Sequence, residues 1–215
     1  MESPEAKSST RGGPGAGSGG RGRVLHRSFY GRSPLLVAPD LLGKVLCRVR
    51  RGVVTSGRIV EVEAYLGADD PASHAYRGMT PRNMAMFGPP GHAYVYFTYG
   101  NHFCMNVVTG EEGAASAVLI RALEPIDGIA AMKRRRGRAG VSELTSGPGK
   151  LCEALGIDRA LYGHDLSVRP LWIYDDDSTP PRQVQTPRIG ISTAVDRPYR
   201  YVVPESAFVS RTRRS

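Results

Sequence analysis

Residues 53–65 read VVTSGRIVEVEAY, thirteen positions without a proline and with one internal glycine. Val, Ile and Thr fill most of the first eight, and such residues fit a pleated strand. Side chains along a strand alternate at period two. Val60, Val62 and Ala64 therefore turn to one side, and Glu61, Glu63 and Tyr65 to the other. One face is expected in the core, while the opposite face carries two carboxylates and an aromatic ring.

Reading outward, KVLCRVR (44–50) alternates in the same way, and Arg51-Gly52 supplies a turn between the two strands. Upstream, Ser33-Pro34 has the form of an N-cap and first-turn proline, opening a helix through Leu41 that Gly43 ends and Pro39 interrupts. Downstream, Thr80-Pro81 suggests a second short helix ending before GPPG. AYVYFTY and FCMNVVT flank Gly100-Asn101, a dipeptide suited to a tight hairpin turn. SAVLIRALE reads as a strand, PIDGIAAMKRRR as a helix with a basic end, and SGPGKLCEALG as a capped helix closed by Gly156. Two late strands are expected near LWIYDD and RIGIS. Antiparallel strands without regular βαβ alternation give an α+β fold class: one domain with a mostly antiparallel, curved β core and peripheral helices.

The 215 residues suit one domain, preceded by a Gly/Ser/Arg-rich tail over residues 1–25 whose composition favours disorder. No apolar run approaches the roughly 20 residues that a membrane-spanning helix needs. The N-terminus lacks a secretory h-region, so a cytoplasmic location is expected, nucleoid-associated in a bacterium. Cys47, Cys104 and Cys152 show neither disulfide nor zinc-ligand spacing and read as small buried apolar residues. A net charge of +9 and a pI near 9.8 point toward a polyanion, nucleic acid first.

Chemistry-bearing residues concentrate in 60–83 and 88–106. Glu61, Glu63, Asp69, Asp70 and His74 lie there, with five of the ten tyrosines: Tyr65, Tyr76, Tyr94, Tyr96 and Tyr99. Three readings fit them. One is a metal site of Glu, Asp and His, although no element carries a close ligand pair. Another is structural, with amphipathic tyrosines in the core and carboxylates paired to arginines. The last is a nucleobase pocket whose tyrosines stack on a flat ring while one carboxylate acts as a base.

The run from Gly57 to Asn106, together with VLIRALEP (118–125) and SGPGKLC (146–152), resembles the alkyladenine (3-methyladenine) DNA glycosylases. The likeness extends over about His26 to Arg211, and its C-terminal part is closer to bacterial members. It implies a glycosylase domain over 26–215, with the β-hairpin projecting toward DNA. The implied activity is monofunctional: water hydrolyses the N-glycosidic bond of alkylated purines in duplex DNA, after base flipping and as the first step of base excision repair. No cofactor, metal or catalytic lysine is implied. Double-stranded DNA containing alkylated purines is the partner, and a monomer is the default.

By the same resemblance Glu63 is the base that activates water, with Arg121 as its catalytic neighbour. A carboxylate can take the proton of an attacking water and stabilise an oxocarbenium-like sugar. Tyr65, His74, Tyr96 and Asn106 match base-binding positions, Asn106 screening out normal guanine. Ile189 matches a position whose backbone carbonyl holds the water. Tyr99, at the hairpin tip, matches the wedge that replaces the flipped base. Arg82, Ser146, Gly147 and Lys150 are candidates for the DNA backbone, with helix capping and surface solvation as the plainer reading. Arg134 to Arg136 are either phosphate-binding or a solvated helix end. The rival function is a non-catalytic protein that binds damaged nucleic acid with the same basic aromatic surface.

Overall fold

A computed structural model describes residues 22–98, 100–137 and 140–210. The expected tail over residues 1–25 and the wedge Tyr99 lie wholly or mostly outside these residues. Gly22 to Leu25 are described, and Arg23–Val24 form β1, which pairs with β7 (Leu171–Asp175). The chain then forms α1 (Arg27–Tyr30), α2 (Pro34–Leu41), β2 (Val45–Arg50) and β3 (Val53–Tyr65). Next come the hairpin strands β4 (Ala93–Thr98) and β5 (His102–Thr109), followed by β6 (Ser116–Pro125). Two helices follow, α3 (Ile129–Arg136) and α4 (Pro148–Leu155), and the strands end with β8 (Val184–Thr186) and β9 (Arg200–Val202).

All strand pairs are antiparallel, in the order β1-β7-β2-β3-β6-β5-β4, with β9 bridging β3 and β8. The α+β class with a curved antiparallel sheet is thus the observed one. β3 is long enough to serve β2 along its first half and β9 along its second, while β6 runs along its other edge.

Helices cover one face of this sheet. Val37 and Leu41 of α2, Met132 of α3 and Leu151 and Leu155 of α4 pack into one apolar cluster with Val95, Met105, Val107, Val118 and Ile120. Period-two alternation sends Tyr94, Tyr96, Cys104, Asn106, Leu119 and Arg121 to the opposite face. There Tyr94 joins a smaller cluster with Met86, Val108 and Ala117.

The expected facing of β3 needs one correction. Ile59, not Val60, joins Val62 and Ala64 in the helix-covered cluster; Val60 is buried outside it. The cause is a register irregularity against β6 between Ile59 and Val62. Unbroken alternation from Ile59 would have turned Glu61 and Glu63 toward the apolar cluster. The irregularity returns both carboxylates to the opposite face.

Two other expectations fail for identifiable reasons. Thr80-Pro81 does not open a helix: the Asn83 side chain takes the Thr80 amide at 2.6 Å and donates to the carbonyls of His74 and Gly78. This local bonding displaces regular helix, leaving one 3-10 turn at Met84–Phe87. RIGIS (188–192) is not a strand. The Ile189 amide is bonded to a carboxylate instead of a ladder, and Gly190 has φ of +76°. The last strands are β8 and β9. Cys47, Cys104 and Cys152 are free and buried, as expected of small apolar residues.

Candidate active site

Register assembles the site. Tyr94 stands opposite Asn106, Asn106 opposite Leu119, and Leu119 opposite Glu63, so one row crosses β4, β5, β6 and β3. At a strand spacing of about 4.8 Å the row spans roughly 14 Å. Above it opens a cavity of about 420 Å³, walled by Tyr65, His74, Tyr94, Tyr96, Asn106 and Arg121, with Pro148 and the 189–193 loop on its rim. That volume lies in the range of pockets that bury a small aromatic ligand.

Glu63 has no exposed surface and sits just behind this wall. Its Oε2 accepts from the Tyr65 hydroxyl at 2.9 Å and from Arg121 Nη1 at 3.2 Å, and its Oε1 accepts the Ile189 amide at 2.7 Å. A carboxylate offers about four acceptor sites, so three donors leave one on Oε1. Ile189 is thus tied to Glu63 through its amide N–H, a contact distinct from the expected hold of its carbonyl on water.

Glu61, one pleat away, is just as buried and more heavily bonded. Arg121 Nε reaches its Oε1 at 2.9 Å and Arg200 Nε at 2.7 Å, while the amide and hydroxyl of Ser210 donate at 2.6 and 2.7 Å. Desolvation raises the Glu61 pKa, but Arg121, Arg200 and Ser210 outweigh it, and the net direction is down. Arg121 is thus a bridge, its Nε on Glu61 and its Nη1 on Glu63. Sequence reasoning left Glu61 without a role, because Arg200 and Ser210 lie 139 and 149 residues away.

The aromatic wall is equally specified. Tyr94 and Tyr96 stack at 5.3 Å, and His74 meets Tyr96 edge-on at 4.6 Å. His74 Nδ1 shares a 2.9 Å hydrogen bond with the Tyr94 hydroxyl. The imidazole stays exposed at the cavity mouth. Desolvation of its packed side, and then nearby Arg82, lower its pKa from 6.5, which favours the neutral ring. Asn106 donates its side-chain amide to the Tyr94 carbonyl at 3.1 Å. Behind Tyr65 lies Arg188, whose guanidinium stands 4.6 Å from the ring centre and forms a fully buried pair with Asp70. Neither residue was singled out as a pair from the sequence, where Asp70 appeared only as one of several loop acids.

The four backbone candidates lie apart from this row. Arg82 donates to the Phe97 carbonyl at 3.3 Å and covers Tyr96 at 5.4 Å, bracing the hairpin. Lys150 donates to the Ser146 hydroxyl at 3.3 Å, and Gly147 precedes α4 without a side-chain cap. No group of three or more His, Cys, Asp or Glu suited to a metal occurs among the described residues.

With this geometry in view, the sequence matches the family model described as methylpurine-DNA glycosylase (MPG) over residues 28–207. The chain belongs to this family. Glycosylases of this kind are hydrolases of N-glycosyl bonds in DNA, and this chain is one of them. A relative from Chlorobaculum parvum is 51% identical over 191 residues, covering 88% of this chain and 91% of its own. Relatives from Carboxydothermus hydrogenoformans and Methanoculleus marisnigri are 52% and 53% identical, each covering 87% of this chain and 99% of theirs. All three names refer to 3-methyladenine DNA glycosylase. Among the described residues no helix is long and apolar enough to cross a membrane.

Proposed function

We propose that the chain is a monofunctional glycosylase that removes alkylated purines of the 3-methyladenine type from duplex DNA, using water activated by Glu63. The observation that carries this reading is a buried carboxylate, held by three donors, directly behind an aromatic cavity of about 420 Å³. A nucleotide must leave the stack to enter such a cavity. A purine methylated on a ring nitrogen is cationic, and the faces of Tyr65 and Tyr96 attract it more than a neutral base. Asn106, which lines the same cavity, would discriminate the purine edge.

In the reaction a water oxygen bonds to the anomeric carbon as Glu63 takes its proton. The bond from that carbon to the purine nitrogen breaks, and its electron pair leaves with the base. A cationic alkylpurine departs neutral, so no acid is needed. Glu63 has no exposed surface, so the water must reach the acceptor position left on Oε1, beside the Ile189 amide.

Glu63→Gln tests the proposal, with released bases from methylated duplex DNA resolved by chromatography. Base release should fall by at least about a hundredfold, in line with the usual worth of a general base, while binding to abasic-site DNA persists. No release by the wild-type protein would support a non-catalytic binder. A borohydride-trapped adduct would replace water with an amine nucleophile.

A further inference from the structure

Two clefts outside the cavity share residues and form one basic groove. The first, about 340 Å³, is lined by Arg50, Arg51, Arg134 and Arg135; the second, about 490 Å³, again by Arg50 and Arg135 and then by Asn101 and His102 of the hairpin turn. Arg48 lies close enough to repel Arg135, and Arg136 adds a sixth guanidinium nearby. The carboxylates facing them are Glu153, bonded to Arg136, and Asp158, 3.9 Å from Arg50. Positive charge is left in excess.

A solvated helix end would let its arginines splay apart. Here Arg50 and Arg135 are half-buried, and Arg135 Nη1 is pinned to the Ala154 carbonyl at 2.7 Å. Arg50 packs across Gly156, where any Cβ would collide with its guanidinium. Burial first, and then repulsion by Arg50, Arg134 and Arg48, lowers the pKa of Arg135. Such a concentration of fixed cations matches a polyanion that bridges them.

Position identifies which polyanion. Pro148, at the start of α4, lines the cavity, while Gly149 and Gly156 of the same helix region line the groove. From Pro148 to Gly156 is about 12 Å of helix, roughly three to four nucleotide rises along a strand. We propose that this Arg50–Arg51–Arg134–Arg135 groove is a second DNA-contact surface, holding backbone phosphates of the duplex three to four nucleotides from the nucleotide in the cavity. The proposal rests on the glycosylase reading for the placement of the DNA.

The test is binding of the full chain to undamaged duplex across a salt series, comparing wild type with Arg51→Gln/Arg134→Gln. Both side chains are exposed, and melting temperatures check folding. Each lost phosphate contact should flatten the slope of log K against log salt by about 0.9, hence by nearly two for the pair, with affinity near 0.1 M salt falling roughly tenfold or more. Arg134→Gln alone should give half the slope change. A second measurement needs no variant: neutral methylphosphonate linkages are walked outward from an abasic site. Affinity for wild type should dip about three to four nucleotides away. Unchanged slopes, or no dip at that distance, would overturn the groove. These readouts do not depend on base release, so they fail separately from the Glu63→Gln experiment.

Discussion

Glu61 and Glu63 are neighbours on one strand face, yet their partners divide the labour between them. Glu63 faces donors that line the cavity, Tyr65, Arg121 and Ile189. Glu61 faces Arg121, Arg200 and Ser210 and so fixes the guanidinium that in turn holds Glu63. Glu61 is a positioning residue by this geometry. Glu61→Gln leaves two buried arginines short of a counter-charge and should destabilise the fold by about 3 kcal/mol in denaturant titration. Base release at saturating DNA should fall about tenfold, read in single-turnover assays, while binding to abasic-site DNA changes little. A variant as active as wild type would show that Arg121 holds its place without Glu61.

At the scale of elements, the hairpin and α4 meet through an unusually close contact. A Cβ added at Gly149 would lie 2.9 Å from His102 Cγ and 3.0 Å from its Cβ. These atoms are near the backbone of β5 and cannot swing aside, so Gly149→Ala should cost about 1–3 kcal/mol as an overpacked contact. His102→Gly in the same chain removes both the Cβ and the Cγ contact and should restore part of that loss, measured as recovery of the unfolding midpoint. Without recovery, the constraint at Gly149 would lie in the helix backbone. The 188–192 segment shows the same dependence on a partner. Arg188 fastens it through Asp70 and the Ala64 carbonyl. Asp70→Asn should therefore release Ile189 from Glu63, raising hydrogen exchange at the Ile189 amide by at least tenfold.

For the whole molecule, the two buried acid–arginine groupings set the response to pH. Burial tends to raise the pKa of both Glu61 and Asp70, but their arginines and amide donors bring both below the ordinary 4.5 and 3.8. A carboxylate with a lowered folded pKa contributes its full stability above the unfolded value and loses it as pH falls through the folded one. Glu61 and Asp70 thus add no loss from about pH 7 to 5, where the lowered pKa of His74 alone makes thermal midpoints decline slightly, and midpoints should fall steeply below about pH 4, with a flatter acid limb in Glu61→Gln. The alternation of residues 53–65, the turn glycines and the capped 146–156 segment made the sheet and helices legible from sequence, because each depends on nearest neighbours along the chain. The strings around Glu63, Tyr65, His74, Tyr96 and Asn106 likewise carried the family. Alternation placed Glu61 and Glu63 opposite Val62 and Ala64 as observed, but tertiary structure decided that Ile59 and not Val60 joins the helix-covered cluster, through the irregularity against β6. Tertiary structure alone turned RIGIS from a strand into a site loop, because the bond from the Ile189 amide to Glu63 joins residues 126 positions apart. The opening strand set the alternation from Val62 to Tyr65 through nearest neighbours, but the partners that distinguish Glu61 from Glu63 come from β6, β9 and the C-terminal segment, which only folding brings beside it.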